Sequence, residues 1–398
     1  MEDDLYHRNS MKNTNDIICG VEIEGYNSGG EGVARLGDGR VVFVPGAARG
    51  DNLEIRLTEE KPRIARAEIV RVLDPSPHRT LSDCPFYPRC GGCDFRHITY
   101  EEELCAKLQR VNDALRRIGG SSIQAQEILS TGQIDGYRNK AVLHSNGVSR
   151  GFYARQSHDI VSIDHCLQLK EDLNTALKDI PIGGELTLRS GRNGLSQPLE
   201  EMLDGLVFGI SGFFQVNTSA ALLLIKKARE YAAMSKNETL VDLYCGVGTL
   251  THFIGRDAGQ AYGVELDPEA VETARENALR NGLAHIEFFA ADAGKWECGT
   301  GSPDCLVVDP PRSGLSINAV RNILEFSPKR IVYISCDPAT LARDIRRLEG
   351  YKVEKICAVD MFPRTANVEC CCLLSATSQK SYENITILKK NIDKGMNI

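Results

Sequence analysis

Hydrophobic and polar residues alternate at a short period near the start of the chain. Between residues 16 and 72, apolar positions recur at every second residue in short runs separated by turns. Runs of this kind predict β-strands. The expected strands are Ile17–Ile23, Val33–Leu36, Arg40–Val44 and the segments around 51–58 and 64–72. Several short strands in so little chain predict a small closed barrel.

The region after the barrel has a different pattern. The segment Leu73–His78 carries two prolines and is expected to be a linker. Beyond it, residues 80–203 are expected to form a central α+β region. Apolar residues spaced by three and four positions predict a helix over Glu101–Gly119, which ends at a pair of glycines.

From about residue 204, strand patterns alternate with helical patterns. The expected strands are Thr239–Leu243, Ala261–Leu266, Ile286–Ala290, Cys305–Val308 and Arg330–Ser335. Alternation of this kind predicts an α/β fold with a doubly wound parallel sheet, which binds ligands at the carboxyl ends of its strands. The segment after about Thr377 is polar and rich in Lys and Asn, so it is expected to be peripheral.

The composition is that of an ordinary globular protein. The 398 residues are enough for two or three domains, and 42% of them are hydrophobic and 25% charged. The longest apolar runs, such as Leu222–Ile225, are too short to cross a membrane, and the acidic N-terminus does not resemble a secretory signal. These features predict a cytoplasmic protein.

The net charge of −7 argues against a general attraction to nucleic acid but allows a local basic surface. Four basic residues fall on the last hairpin of the expected barrel: Lys61, Arg63, Arg66 and Arg71. They would form either such a surface or a solvated strand face.

A glycine loop follows the first strand of the expected sheet. Asp242–Thr249 joins an apolar strand to a helix, so its glycines would let the backbone approach a ligand closely. The next strand ends in Glu265 and Asp267, whose carboxylates could accept hydrogen bonds from ribose hydroxyls. The combination predicts a nucleotide-type cofactor and suits S-adenosylmethionine as well as NAD.

Two further strand ends carry candidate chemistry. Asp309 precedes two prolines, which make a rigid loop and would hold the carboxylate in the same crevice. Cys336 follows the strand Arg330–Ser335, and the N-terminus of the next helix is expected to favour its thiolate. A cofactor site and a candidate nucleophile would therefore share one edge of the sheet.

Fourteen cysteines are many for a cytoplasmic protein, because disulfides are disfavoured in that compartment. Cys84, Cys90 and Cys93 lie in a loop rich in proline and glycine, and Cys166 follows in the central region. A Cys-x2-Cys pair with two further cysteines permits either a zinc site or an iron–sulfur cluster. The spacing does not choose between them.

Taken together, these motifs carry a family resemblance. Residues 204–376 resemble the catalytic domain of the RNA 5-methyluridine (uracil-5-) methyltransferases. The matching motifs are Gly212–Asn217, Asp242–Thr249, Val264–Asp267, Asp309–Gly314, Tyr333–Pro338, Asp360–Pro363 and Val368–Glu369. The N-terminal barrel resembles the TRAM domain, an OB-like barrel that binds RNA, in the ribosomal RNA branch of this family.

The resemblance covers nearly all of residues 14–376 and implies three domains. These are a TRAM domain over 12–73, the central domain over 80–203 and a Rossmann-like methyltransferase domain over 204–376, followed by a polar tail over 377–398. The implied partner is RNA. No membrane or protein partner is required, and a monomer is expected.

The implied reaction is S-adenosylmethionine-dependent methylation of uridine carbon 5 in 23S ribosomal RNA, which gives 5-methyluridine. By the resemblance, four residues would hold S-adenosylmethionine: Gln215, Tyr244, Glu265 and Asp309. Cys336 would add to carbon 6 of the uracil and make carbon 5 nucleophilic. Glu369 would be the general base that removes the proton from carbon 5.

The resemblance also resolves the choice of metal. Ribosomal members of the family carry a [4Fe–4S] cluster on four cysteines spaced as in this chain. The implied ligands are Cys84, Cys90, Cys93 and Cys166. Because methyl transfer consumes no electrons, the cluster would organise the central domain and its RNA surface.

Three positions depart from the usual family pattern. Asp337 follows the nucleophile where asparagine is common. Arg364 and Asn367 stand where the Phe-Pro motif usually carries His or Gln and then His. Two alternatives stay open, namely the same reaction on transfer RNA and a non-catalytic RNA-binding assembly factor.

Overall fold

The structure is a computed structural model that describes residues 17–177, 183–210, 213–299 and 301–377. It divides into two compact units. The first comprises the chain up to residue 88 with 93–106 and 364–366, and the second comprises 89–92, 107–363 and the chain from 367. Of the expected domains, residues 12–16 and the tail from 378 lie outside the described residues. No helix in the described ranges is long and apolar enough to span a membrane.

A six-stranded sheet forms the centre of the first unit. Its strands are β1 Ile17–Glu22, β2 Gly25–Tyr26, β3 Gly32–Arg35, β4 Val41–Val44, β5 Asn52–Glu60 and β6 Ile64–Asp74. Their order is β1-β5-β6-β4-β3-β2, with β4 and β6 parallel and the other pairs antiparallel. Alternate residues of β5, namely Leu53, Ile55 and Leu57, point into the core, as the period-two pattern predicts. The five expected strands are confirmed, and β2 is additional.

Three of the four basic residues on the β5–β6 hairpin form ion pairs within the unit. The pairs are Lys61 with Glu59, Arg66 with Glu31 and Arg71 with Glu54, at 2.6–3.1 Å. These pairs reduce the net charge of the hairpin, but exposed ion pairs are weak. A role of the hairpin in RNA binding stays a prediction.

Two later segments of the chain also pack into the first unit. Phe95 is 2% exposed and lies in a small core with Ala48. The backbone N–H groups of Asp94 and Phe95 donate to the carbonyl of Arg364, whose own N–H donates to Glu103 Oε1 at 2.7 Å. These bonds account for the grouping of residues 93–106 and 364–366 with the six-stranded sheet.

The remaining elements lie in the second unit, except that α1 begins in the first. The helices are α1 Tyr100–Arg117, α2 Glu171–Leu177, α3 Thr218–Ala232, α4 Thr249–Gly255, α5 Pro268–Arg280, α6 Ile317–Phe326 and α7 Pro338–Arg347. The shorter sheets contain β8 Lys140–Ser145, β9 Arg150–Tyr153, β10 Ile160–Ser162, β11 Leu186–Arg189, β12 Glu200–Leu203 and β13 Leu206–Gly209. The large sheet contains β7 Ile128–Leu129, β14 Thr239–Leu243, β15 Gln260–Glu265, β16 Ile286–Ala290, β17 Cys305–Val308, β18 Arg330–Ser335, β19 Tyr351–Val359 and β20 Glu369–Ala376.

The large sheet has eight strands in the order β16-β15-β14-β17-β18-β20-β19-β7. The strands β14 to β18 are parallel, which confirms the doubly wound prediction, whereas β20 runs antiparallel to both β18 and β19. Alternate residues along each strand enter opposite cores: Leu306 and Val308 enter one, Cys305 and Val307 the other. The sheet is therefore covered on both faces, which explains its continuous apolar strands.

Candidate active site

The predicted site residues gather at one edge of the large sheet. The strand order reverses at β14, which lies between β15 and β17, and this switch point is where such sheets bind ligands. Tyr244, Asp309 and Cys336 each follow directly after a parallel strand, and Glu265 ends β15. Glu369 begins β20, which runs in the opposite direction, so its first residue lies at the same edge.

Cys336 and Glu369 are brought together by the pairing of β18 with β20. The last pair in this ladder is Ser335 with Cys370, so Cys336 and Glu369 are the next residues on two neighbouring strands. Cys336 is half-buried and Glu369 is 4% exposed. A thiol and a carboxyl group thus share a largely dry position at the strand ends.

These two groups interact electrostatically with Asp309 and Arg312. Burial, together with the charge of Asp309, raises the pKa of Glu369 from 4.5 to about 8, and Arg312 opposes the rise. Burial and the neighbouring Glu369 raise the pKa of Cys336 to about 11. Burial raises the pKa of Asp309 to about 7. Three residues of the sequence prediction therefore form one cluster of ionisable groups: Cys336, Glu369 and Asp309. The exposed Arg312 lowers the pKa of Cys336 and of Glu369.

The helix that follows Cys336 does not favour its thiolate, so this part of the sequence prediction was wrong. Asp337 caps α7, and its Oδ1 accepts hydrogen bonds from the N–H groups of Ala339 at 2.8 Å and Thr340 at 2.9 Å. These are the donors that were expected to attract the sulfur. With the donors occupied, burial and Glu369 control the pKa of the thiol, which is largely protonated at neutral pH.

The same helix fixes the loop that carries Asp309. Asp344 of α7 is fully buried and accepts hydrogen bonds from Leu315 N and from the Tyr333 hydroxyl, each at 2.8 Å. Gly314 has a φ of +74°, and a Cβ there would collide with Asp344, so the loop needs glycine at this position. One helix therefore holds both the Asp309 loop and the cap beside Cys336.

The glycine loop after β14 is closed by Glu265. The N–H of Gly246 donates to Glu265 Oε2 at 3.0 Å. Tyr244 has a φ of +67°, and Gly248, with a φ of +84°, is the N-cap of α4. A Cβ on Gly248 would collide with the ring of His252, so the backbone there stays bare. The predicted cofactor residues Tyr244 and Glu265 thus line a loop shaped for close approach of a ligand.

Two acids at this edge were not assigned a role from the sequence. Asp242 is fully buried beneath the glycine loop, where Thr251 Oγ1 donates to Oδ2 at 2.6 Å and burial raises the pKa to about 8. Asp292 follows β16, is exposed, and contributes to raising the pKa of Tyr244. Its position after a parallel strand was the signal that could have identified it.

The donor set at this edge fits S-adenosylmethionine. Carboxylates at the ends of three strands, on Glu265, Asp292 and Asp309, can accept hydrogen bonds from hydroxyl groups and complement a positive charge. The bare backbone of the glycine loop leaves room for close contact.

Gln215 lies on another segment, directly before α3. Its carbonyl accepts a hydrogen bond from Asn139 Nδ2 at 3.2 Å, and its side chain is half-buried. Two residues further on, Asn217 caps α3 and also donates from Nδ2 to the carbonyl of Met361 at 3.1 Å. The bonds described for Gln215 involve its backbone, so its contact with a cofactor stays a prediction.

The four cysteines of the predicted cluster are half-buried: Cys84, Cys90, Cys93 and Cys166. Cys93 Sγ accepts a hydrogen bond at 3.3 Å from Nε of Arg96, which is 2% exposed. Within the described ranges, no three His, Cys, Asp or Glu side chains are gathered to hold a metal ion. The cluster therefore stays a prediction.

Comparison with known proteins identifies three families of domain in the chain. Residues 295–377 match the family tRNA (Uracil-5-)-methyltransferase, residues 19–70 match the TRAM domain and residues 240–323 match the Methyltransferase domain family. An uncharacterized RNA methyltransferase of Bacillus cereus is 31% identical, over 89% of this chain and 96% of the relative. Another, of Nostoc sp., is 34% identical, over 92% of this chain and 97% of the relative.

A solved structure agrees with these matches. Pyrococcus abyssi tRNA (uracil-54, C5)-methyltransferase, crystallised in complex with S-adenosyl-L-homocysteine, is similar with a TM-score of 0.71 and 26% identity. The similarity covers 90% of this chain and 100% of that one. The chain therefore belongs to the RNA uracil-5-methyltransferase family and is an S-adenosylmethionine-dependent RNA methyltransferase with an N-terminal TRAM domain.

Proposed function

We propose that the protein methylates carbon 5 of a uridine through a transient covalent bond between Cys336 and carbon 6 of the uracil. The observation that carries this proposal is the placement of Cys336 and Glu369 on neighbouring strand ends. A nucleophile and a base side by side, in a position where water is scarce, are what addition to carbon 6 and proton removal from carbon 5 require.

Bound S-adenosylmethionine supplies an electrophilic methyl group. Cys336 Sγ, once deprotonated, adds to carbon 6, and the electrons of the C5–C6 double bond make carbon 5 nucleophilic. When carbon 5 takes up the methyl group, the S–CH3 bond of the sulfonium donor would break and its electron pair would stay on sulfur, giving a neutral thioether. Glu369 then removes the proton from carbon 5. The electron pair of that C–H bond restores the double bond, and Cys336 leaves as a thiolate.

The electrostatics of the site suit these roles. A carboxylate whose pKa is raised to about 8 is a stronger base than an exposed one. A thiol with a high pKa is a strong nucleophile once it is ionised. We propose that Gln215, Tyr244, Glu265 and Asp309 hold the cofactor, supported by their places at the edge of the sheet and on the segment before α3.

Substitution of Cys336 tests the nucleophile. Cys336→Ala should abolish transfer of a radiolabelled methyl group to RNA while S-adenosylmethionine still binds in calorimetry, because the cofactor residues are intact. Cys105→Ala, which changes an exposed cysteine of α1, is the matched control and should keep full activity. Near-normal turnover by Cys336→Ala would refute the covalent mechanism.

We propose 23S ribosomal RNA as the substrate, because the order of TRAM domain, cysteine cluster and catalytic motifs resembles the ribosomal branch. Transfer RNA is the second candidate, and the similarity to the Pyrococcus abyssi enzyme favours it. Mass mapping of modified uridines in RNA from cells with and without this protein separates them. Loss of 5-methyluridine from transfer RNA alone would overturn the ribosomal proposal.

We propose further that Cys84, Cys90, Cys93 and Cys166 bind a [4Fe–4S] cluster. Four thiol donors suit such a cluster, and the cationic Arg96 beside Cys93 suits a thiolate ligand. Protein purified without oxygen should contain about four iron and four sulfide per chain. Cys93→Ser should lose them, whereas Cys105→Ser should not. Zinc without sulfide would contradict the proposal.

A further inference from the structure

The loop that carries Glu369 begins in the second unit, and its first residues are held by side chains from other parts of that unit. It runs from Asp360, just after β19, to Glu369 at the start of β20. Three successive backbone carbonyls, those of residues 361–363, accept hydrogen bonds at 3.0–3.1 Å from side chains. The donors are Asn217, Lys107, Tyr137 and Gln168. The backbone of this loop is therefore fixed by buried donors rather than by a regular helix or strand.

Lys107 of α1 makes two of these bonds at once. Its Nζ lies 2.6 Å from Asp360 Oδ1 and 3.0 Å from the carbonyl oxygen of Phe362. The side chains of Lys107 and Asp360 are both 0% exposed. The N–H of Asp360 donates to the carbonyl of Leu129 at 2.8 Å, so the start of the loop is tied to β7 as well.

A fully buried ion pair is a costly way to stabilise a fold. Removing both charges from water costs several kcal/mol per ion, and a well-packed apolar pair is often equally stable. The ion pair between Lys107 and Asp360 is therefore better explained by a role in positioning the loop after β19 than by a contribution to stability. The ammonium group of Lys107 binds a carboxylate and a carbonyl two residues apart, which fixes the direction in which the loop leaves β19.

Arg110 lies one turn further along the same helix. Its Nη2 is 3.4 Å from Oδ2 of Asp337, the residue that follows Cys336. Residues three apart share one face of a helix. One face of α1 therefore contacts both the loop that leads to Glu369 and Asp337, the residue that follows Cys336. The helix thus relates the positions of the two reacting groups to each other.

We propose that Lys107 is a positioning residue for the reaction: it holds the loop from Asp360 to Pro363 so that Glu369 faces carbon 5 of the uridine bound to Cys336. The inference rests on the proposed role of Glu369 as the base. It requires that loss of Lys107 slows proton removal more than formation of the covalent adduct.

The variant Lys107→Met keeps an unbranched side chain of nearly the same length, one atom shorter, and removes the charge. We expect kcat for methylation to fall about 100-fold, because a displacement of about 1 Å at a reacting group has an effect of this size. The KM for RNA should change little, and a covalent protein–RNA adduct should accumulate as a slowly migrating band. Arg117→Ala, which removes an exposed side chain from the same helix, is the matched control and should behave as the wild type.

A double variant separates positioning from stability. Lys107→Met removes the cation that lies against the buried carboxylate of Asp360 and should lower the melting temperature. Lys107→Met/Asp360→Asn removes that buried negative charge as well and should recover much of the melting temperature. Turnover should not recover, because the bond from Lys107 to the carbonyl of Phe362 is still lost. Recovery of turnover together with the melting temperature would overturn the proposal.

Glu369→Gln in the same assay distinguishes this inference from the proposed function. If Glu369→Gln accumulates no adduct, the role of Glu369 as base fails, and the inference about Lys107 fails with it. If Glu369→Gln accumulates adduct while Lys107→Met turns over like the wild type, only the inference about Lys107 fails.

Discussion

Replacing Glu369 by glutamine should make the folded protein more stable, and the gain should grow with pH. The side chain is 4% exposed, and its pKa rises from 4.5 to about 8 on folding. An acid whose pKa is raised by folding binds its proton more tightly in the native state than in the unfolded state. Ionisation of the group therefore opposes folding. Glutamine has nearly the same shape and carries no charge.

The size of the gain follows from the pKa. A tenfold change in proton affinity corresponds to about 1.4 kcal/mol. A rise from 4.5 to about 8 therefore costs about 5 kcal/mol of folding free energy once the group is fully ionised. At pH 7, where the folded group is still mostly protonated, the cost is about 3 kcal/mol.

The raised pKa of Glu369 also fixes the direction in which the cost of its ionisation changes with pH. The cost is absent well below pH 4.5, increases as the pH rises from there, and is complete above about pH 8. A buried amide that lacks hydrogen-bond partners would lose about 1–2 kcal/mol of the gain. We therefore expect Glu369→Gln to be about 1–2 kcal/mol more stable than the wild type at pH 7.

Urea unfolding of the full chain at pH 5, 7 and 8.5 measures this effect. The difference in the free energy of unfolding between Glu369→Gln and the wild type should be smallest at pH 5 and largest at pH 8.5. Glu349→Gln, which changes an exposed glutamate, is the matched control and should show no such trend. A difference that does not depend on pH, or a variant less stable than the wild type at pH 8.5, would refute the reasoning.

Three further predictions concern the reaction. The single-turnover rate of methylation should rise between pH 6 and 9, because Glu369 and Cys336 act in their ionised forms and their pKa values are raised to about 8 and about 11; a flat profile would contradict this. Arg312→Ala should move that profile to higher pH, since Arg312 lowers both pKa values, and an unmoved profile would exclude this role. Gly248→Ala should weaken binding of S-adenosylmethionine at least about tenfold in calorimetry, because a Cβ collides with His252 and the φ of +84° disfavours alanine. Unchanged affinity would show that the loop does not need glycine at this position.

The parallel half of the large sheet could be predicted from the sequence almost to the residue. Strands β14 and β18 have the expected bounds, because each is a short apolar run followed by a glycine loop or a turn. The pairing of β20 between β18 and β19 could not be predicted in this way. Residues 370–374 are apolar throughout, and a strand buried on both faces gives no period that indicates its direction or its neighbours.

The gathering of the predicted residues at one edge of the sheet could be expected from the sequence, but the electrostatics of that edge could not. Cys336 and Glu369 were expected from the motifs, whereas the raised pKa of the thiol depends on burial and on the neighbouring Glu369. The contact between Lys107 and Asp360 joins residues 253 positions apart and has no local sequence signal. The domain boundaries at 12–73, 80–203 and 204–376 stay a prediction.

The most direct test of the mechanism is to trap the adduct with 5-fluorouridine. Fluorine at carbon 5 leaves no proton for Glu369 to remove, so the bond between sulfur and carbon 6 cannot be released after methyl transfer. The substrates are 23S ribosomal RNA and transfer RNA transcribed with 5-fluorouridine in place of uridine. Mass spectrometry of the digested complex should find the modified nucleotide attached to Cys336, and Cys336→Ala should form no complex. No adduct with either RNA, or an adduct on another cysteine, would contradict the account.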